Sequence, residues 1–134
     1  MTIKTTRTLK TTLAGFGLAL LLAACAADMA PAKPGSTAIG SVLTDAKGMT
    51  LYTFDRDATP GKSACNGPCA TNWPPLMAAA DAKPMGDWSI ITRDDGGKQW
   101  AYKGKPLYAW AKDTKPGDTT GDGFLNNAWH VARP

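Results

Sequence analysis

A gap-free internal repeat constrains this chain more than any other feature. The stretch Gly48 to Trp73, GMTLYTFDRDATPGKSACNGPCATNW, returns 56 positions later as Gly104 to Trp129, GKPLYAWAKDTKPGDTTGDGFLNNAW. Eight pairs are identical: Gly48/Gly104, Leu51/Leu107, Tyr52/Tyr108, Asp57/Asp113, Pro60/Pro116, Gly61/Gly117, Gly67/Gly123 and Trp73/Trp129. Phe54/Trp110 and Arg56/Lys112 match in kind, whereas Cys65 and Cys69 stand opposite Gly121 and Leu125. The cysteines are therefore an addition to the repeat. A period of about 50 residues can belong to propeller blades, but two copies cannot close a propeller. A compact pair of β-units related by a pseudo-two-fold is the expected architecture.

Local patterns agree with β structure. Ser41 to Thr44 and Met49 to Phe54 flank the turn-like Asp45-Ala46-Lys47-Gly48 and read as a hairpin. Trp88 to Thr92 and Lys98 to Tyr102 flank Asp94-Asp95-Gly96-Gly97 and read as a second. Lys103-Gly104-Lys105 turns that strand into Pro106 to Ala111, giving an antiparallel meander, and Ala128 to Ala132 supplies a last strand. Leu76 to Lys83 is the best short helix candidate, since Ala and Leu favour helix and Pro84 would stop it. The fold class is all-β with at most short helices. Most of the five Trp and three Tyr should be core or repeat-interface residues.

The amino-terminal segment reads as an export signal. Lys4, Arg7 and Lys10 precede the apolar run Leu13 to Ala24, which is too short for a permanent span. Its ending, Leu22-Ala23-Ala24-Cys25, resembles the lipobox of bacterial lipoproteins, which implies lipidation at Cys25 after removal of residues 1–24. Several acyl chains would then tie the protein to a membrane. Ala26 after the cysteine leans towards an outer membrane, on its periplasmic side, in a cell that has two. Residues 25–38, rich in Ala and Pro, read as a tether, and residues 39–134 as one β-rich domain. Within it the repeats run over about 39–76 and about 95–132. The formal charge of +4 falls to +1 once the three signal cations are gone, and no basic run survives to bind nucleic acid.

In each copy four residues separate a tyrosine from an aspartate: Tyr52 and Asp57 in YTFDRD, Tyr108 and Asp113 in YAWAKD. With the GMTLY and GKPLY starts, Cys65-Asn-Gly-Pro-Cys69, Trp73-Pro74-Pro75 and Ala128-Trp129-His130-Val131, the chain resembles the bacterial secreted-repeat lipoprotein family marked by a tyrosine-x4-aspartate motif. The resemblance implies a secreted or lipid-anchored module of uncharacterised activity. Asp57 and Asp113 read first as turn acceptors, because Pro-Gly follows three residues later in both copies.

Cys65 and Cys69 are the most chemically capable residues left once Cys25 is lipidated. In an exported protein such a pair forms a disulfide. The alternative is a thiol-redox or copper(I) site in which Cys65 and Cys69 are joined by His130, with Met49, Met77 and Met85 as further soft donors. Asp113, Asp118 and Asp122 do not have EF-hand spacing, and the chain contains no glutamate, so turns account for them better than calcium. No catalytic constellation stands out. The function expected is a non-enzymatic envelope module without cofactor that binds an envelope protein or glycan, and glycan binding would need tryptophan faces on the surface.

Overall fold

The structure, a computed structural model, describes residues 30–134 together with Gly15; the expected signal and Cys25 lie outside the described residues. Seven strands and two short helical turns follow in chain order: β1 (Lys33–Thr37), β2 (Gly40–Thr44), β3 (Tyr52–Phe54), α1 (Pro68–Asn72), β4 (Trp88–Thr92), β5 (Lys98–Tyr102), β6 (Lys105–Pro106), α2 (Phe124–Asn127) and β7 (Trp129–Val131). All ladders are antiparallel. A β1-β2 hairpin opens the first copy, a β4-β5-β6 meander opens the second, and β3 pairs with β7. Among the described residues, no helix is long and apolar enough to cross a membrane.

The tether expected over 25–38 ends earlier, because Lys33–Thr37 is a strand. Pro34 is tolerated there since β1 pairs on one side only. Gly35 is needed for a steric reason, as a Cβ at that position would lie 2.6 Å from the Thr44 methyl. The first expected hairpin is also modified. Its turn closes, with Asp45 N–H donating to Met49 O (2.9 Å) and the Asp45 carboxylate accepting from Lys47 and Met49. The hairpin runs on through the Thr44–Thr50 bridge to Leu51, whose N–H donates to Leu43 O (2.9 Å), but the Leu51 carbonyl and the Tyr52 backbone turn to the second copy, and the full ladder of β2 is with β1. Leu76 to Lys83 is not helical. Leu76 and Ala78 are taken up by sheet-like bonds to Leu107, Trp100 and Lys98 instead.

The two copies are woven together. Tyr52 N–H donates to Tyr108 O (2.7 Å) and Tyr108 N–H to Tyr52 O (3.0 Å), a reciprocal pair on the pseudo-two-fold. Around it, Leu43 N–H to Ala132 O matches Trp100 N–H to Leu76 O, and Asp55 N–H to Ala128 O matches Ala111 N–H to Asn72 O. β3 of copy one thus lies against β7 of copy two, while the Tyr108 segment lies against Pro74 and Pro75 of copy one.

Side chains alternate across this arrangement, as the two-residue period of a strand requires. Leu43, Leu51, Trp88, Trp100 and Leu107 form one core; Val42, Tyr52, Tyr108, Trp73, Trp110 and Trp129 form the other. The second is dominated by a column of rings. Phe54 stacks on Trp129 (4.1 Å between centroids), Trp129 on Trp73 (3.7 Å, 2° between planes), and Trp73 on Trp110 (3.9 Å). Tyr52 meets Trp73 edge-on at 5.4 Å and Tyr108 meets Trp129 edge-on at 5.1 Å. Repeated stacking of this kind adds to the large area each ring removes from water.

Candidate functional site

The tyrosine and aspartate of each motif do not bond each other. Tyr52 donates its phenolic proton to Asp113 Oδ2 (2.6 Å), and Tyr108 donates to Asp57 Oδ2 (2.6 Å). The spacing explains why. Asp57 N–H closes a turn onto Phe54 O and Asp113 N–H onto Trp110 O, so each carboxylate is carried off the end of its own strand towards the other copy's tyrosine. The second carboxylate oxygen then caps a distant loop: Asp57 Oδ1 accepts from Ala64 N–H, and Asp113 Oδ1 from Thr120 N–H and Oγ1. The sequence reading of both aspartates as turn acceptors therefore needs revising: in its own turn each bonds through its backbone N–H, while its carboxylate accepts from a residue seven positions on and from the other copy's tyrosine.

Burial of the phenols, followed by the adjoining carboxylate, raises both tyrosine pKa values far above their ordinary value. Burial likewise raises Asp57, against the opposing pull of Tyr108, Ala64 and Arg93. The two sites differ in what surrounds them. Tyr108 also shares a 2.7 Å hydrogen bond with Ser63 Oγ, and Ser63 accepts from Arg93, a residue only 4% exposed. The Arg93 guanidinium donates further to Gln99 Oε1 (2.8 Å), Cys65 O (2.6 Å) and Asn66 Oδ1 (3.3 Å). Gln99 Nε2 in turn donates to Leu107 O. Among the described residues every buried side-chain nitrogen and oxygen has a partner. Nothing in the sequence marked Arg93, which sits in a polar turn like many solvated arginines.

Cys65 and Cys69 form a disulfide that closes the loop leading into α1. The equivalent loop of copy two takes another course. Leu125, Asn126 and Asn127 adopt left-handed φ of 55°, 54° and 62°, and Phe124 rests against Trp110 and Trp73. Gly121, at the position matching Cys65, is required: a Cβ there would lie 2.7 Å from Trp73 and 3.0 Å from Tyr52.

His130 is not joined to the cysteines. Its ring pairs with Asp55 at 2.9 Å on the outer side of β7, while the two sulfurs are bonded to each other. The copper reading needs free thiolates beside His130, and among the described residues no three His, Cys, Asp or Glu side chains are grouped to hold a metal ion. Asp118 and Asp122 serve turns: Asp118 accepts from Thr114 and Lys115, which hold its carboxyl well below the usual range, and Asp122 accepts from Val131 N–H. All five tryptophans are buried, at 9% exposure or less. The glycan reading therefore loses the exposed indole faces on which it depended.

The surface offers a different site. A groove of about 240 Å³ runs between β7 and the β5-β6 turn, floored by Leu107, Val131 and Ala132 with Thr53 and Tyr102 at its sides. Lys103, Lys105, His130 and Arg133 line it, and none of its lining residues is acidic. Lys103 Nζ lies 5.1 Å from the centroid of the Tyr102 ring, another residue of the lining. Arg133 donates to Ile39 O and Ser41 O, which fixes its charge at the rim. Lys103 and Lys105 come from one stretch of chain and Arg133 from another, so their convergence was not visible in the sequence.

A family model described as a secreted repeat of unknown function matches residues 34–77 and again residues 89–133. Each match begins in the first strand of a copy; the first ends at the isolated bridge between Met77 and Gln99, and the second just past β7. No curated protein and no solved structure matches the chain.

Proposed function

The chain belongs to the family of secreted repeats of unknown function, and on that premise we propose that it is a lipid-anchored envelope module that binds an anionic lipid headgroup without transforming it. The groove carries this reading. Outside the signal the chain is almost neutral, yet Lys103, Lys105 and Arg133 gather around an apolar floor with no acidic lining residue. A phosphate or phosphodiester meets the cations, and the glycerol and first methylenes meet Leu107, Val131 and Ala132. The Cys25 anchor supports the choice of ligand, since acyl chains hold the domain where such headgroups are concentrated.

Titrating the purified protein with a water-soluble short-chain phosphatidylglycerol tests this directly, with short-chain phosphatidylcholine and inorganic phosphate as comparisons. Binding is expected for phosphatidylglycerol, to weaken with added salt, and to fall about thirtyfold in Lys103→Gln/Lys105→Gln, on the order of 1 kcal/mol for each surface cation. Equal binding of the two lipids would refute the headgroup reading, and tight binding of phosphate alone would assign the site to the free anion. The intact mass of the exported protein tests the anchor separately. A chain that keeps residues 1–24, or lacks acyl mass at Cys25, would remove it.

A further inference from the structure

The most organised chemistry in the molecule is the ring column with its two tyrosine-carboxylate pairs, and packing alone does not require the carboxylates. The column runs Phe54, Trp129, Trp73, Trp110, with Arg56 6.0 Å from the Phe54 ring and Lys112 Nζ 5.8 Å from the Trp110 ring. Tryptophan and tyrosine are the side chains most readily oxidised by loss of one electron. A cation over each outer ring disfavours positive charge there, while the inner indoles, parallel at 3.7 Å, share it between them. Each inner indole touches a tyrosine edge-on, and each tyrosine already donates a short hydrogen bond to a carboxylate that can take its proton.

We propose that the column is a relay for an oxidising equivalent, which enters at the Trp73-Trp129 pair and comes to rest on Tyr52. The oxidant is a one-electron acceptor of the peroxide-derived radical class, and it removes one electron from the indole pair. Tyr52 returns an electron to the ring cation radical, and its phenolic proton passes to Asp113 Oδ2. The products are a neutral tyrosyl radical, neutral indoles and a protonated Asp113. An electron from a small reductant and the return of the proton from Asp113 restore the starting state, so the disulfide and the buried core are spared.

The copies are not equal in this role. The transfer adds one positive charge to the tyrosine-aspartate pair that receives it. Arg93, hydrogen-bonded to Ser63 beside Tyr108 and acting on Asp57, opposes that charge in one pair. At the other, the hydrogen-bond partners of Tyr52 and Asp113 are neutral, Gly121 N–H on the phenol and Thr120 on the carboxylate, and among the described residues no guanidinium opposes it there. Tyr52 is therefore the resting place.

Pulse radiolysis of the full chain with azide radical, which oxidises tryptophan, tests the relay by transient absorption and electron paramagnetic resonance. The tryptophan radical signal is expected to convert to a tyrosyl signal, more slowly in heavy water because the phenolic proton moves. Tyr52→Phe should lose the conversion, whereas Tyr108→Phe should retain most of it. Persistence of the tryptophan radical in the unmodified chain, absence of a deuterium effect, or conversion that survives Tyr52→Phe would each overturn the proposal. The first two measurements need no variant, so they decide the matter even if Tyr52→Phe fails to fold.

Discussion

Exchange of the motif partners between copies makes a prediction that sequence proximity would reverse. Tyr52→Phe removes the hydrogen bond to the Asp113 carboxylate and the longer one that the phenolic oxygen accepts from Gly121 N–H (3.3 Å), while the ring still packs on Trp73. Asp113 is 8% exposed and keeps only its Thr120 contacts, so Oδ2 is left without its donor. A lost hydrogen bond to a buried charged group costs about 2–3 kcal/mol. For a domain of this size that lowers Tm by roughly 10–20 °C. With Asp113→Asn already present the acceptor is neutral, and Tyr52→Phe should cost only about 1 kcal/mol. The double-mutant cycle for Tyr52 and Asp113 therefore yields a coupling of about 1–2 kcal/mol, while Tyr52 and Asp57, of the same motif, should add to within about 0.5 kcal/mol. Urea unfolding followed by tryptophan fluorescence measures both cycles, with m-values checked for constancy. A Tyr52/Asp57 coupling as large as that of Tyr52/Asp113 would refute the exchanged pairing.

The raised tyrosine pKa values carry a pH dependence. Both folded values lie above the ordinary 10.0, so their stabilisation is complete below that pH and is lost as pH rises towards the folded values. Two such groups give a slope of about 2.7 kcal/mol per pH unit above pH 10. Tyrosinate absorbance from Tyr52 and Tyr108 should appear together with loss of the near-ultraviolet dichroism, and gradual ionisation within a native spectrum would contradict it. Gly121→Ala forces a methyl into Trp73 and should cost about 1–3 kcal/mol in urea unfolding. Gly97→Ala meets chiefly the flexible end of Met77 and should cost less, and the reverse order would count against the packing described. Reducing the Cys65–Cys69 disulfide, which closes a short loop, should cost about 2 kcal/mol. An unchanged urea midpoint under reductant would show that the loop holds its shape without the bond.

The repeat, the β4-β5 hairpin, β7 and the β-rich class were legible because they rest on local pattern: strand alternation, Asp-Gly turns and self-similarity at a fixed period. The stretch 76–83 misled for the converse reason. Its Ala and Leu favour helix weakly, and sheet-like bonds from Leu76 and Ala78 outweigh that preference. β1 was hidden because Pro34 and Gly35 are poor strand residues whose place depends on Thr44 across the hairpin. The spacing between Tyr52 and Asp57 foretold a turn, but not whose tyrosine the carboxylate would meet. That information lies in the weave of the two copies. Arg93 and the groove cations were opaque on the same ground, since each acquires its role from residues distant in sequence.

The reciprocal Tyr52-Tyr108 pair has a consequence for how such a molecule arises. A chain carrying one copy could not close its own tyrosine-aspartate bond, since the partner lies across the axis; it could do so only by meeting an identical chain. The domain is thus, in geometry, a self-complementary dimer whose subunits have been fused end to end. Fusion frees the two halves from having to be identical. One half could then acquire a disulfide, and the other a glycine and a left-handed turn, without either change being imposed on its twin.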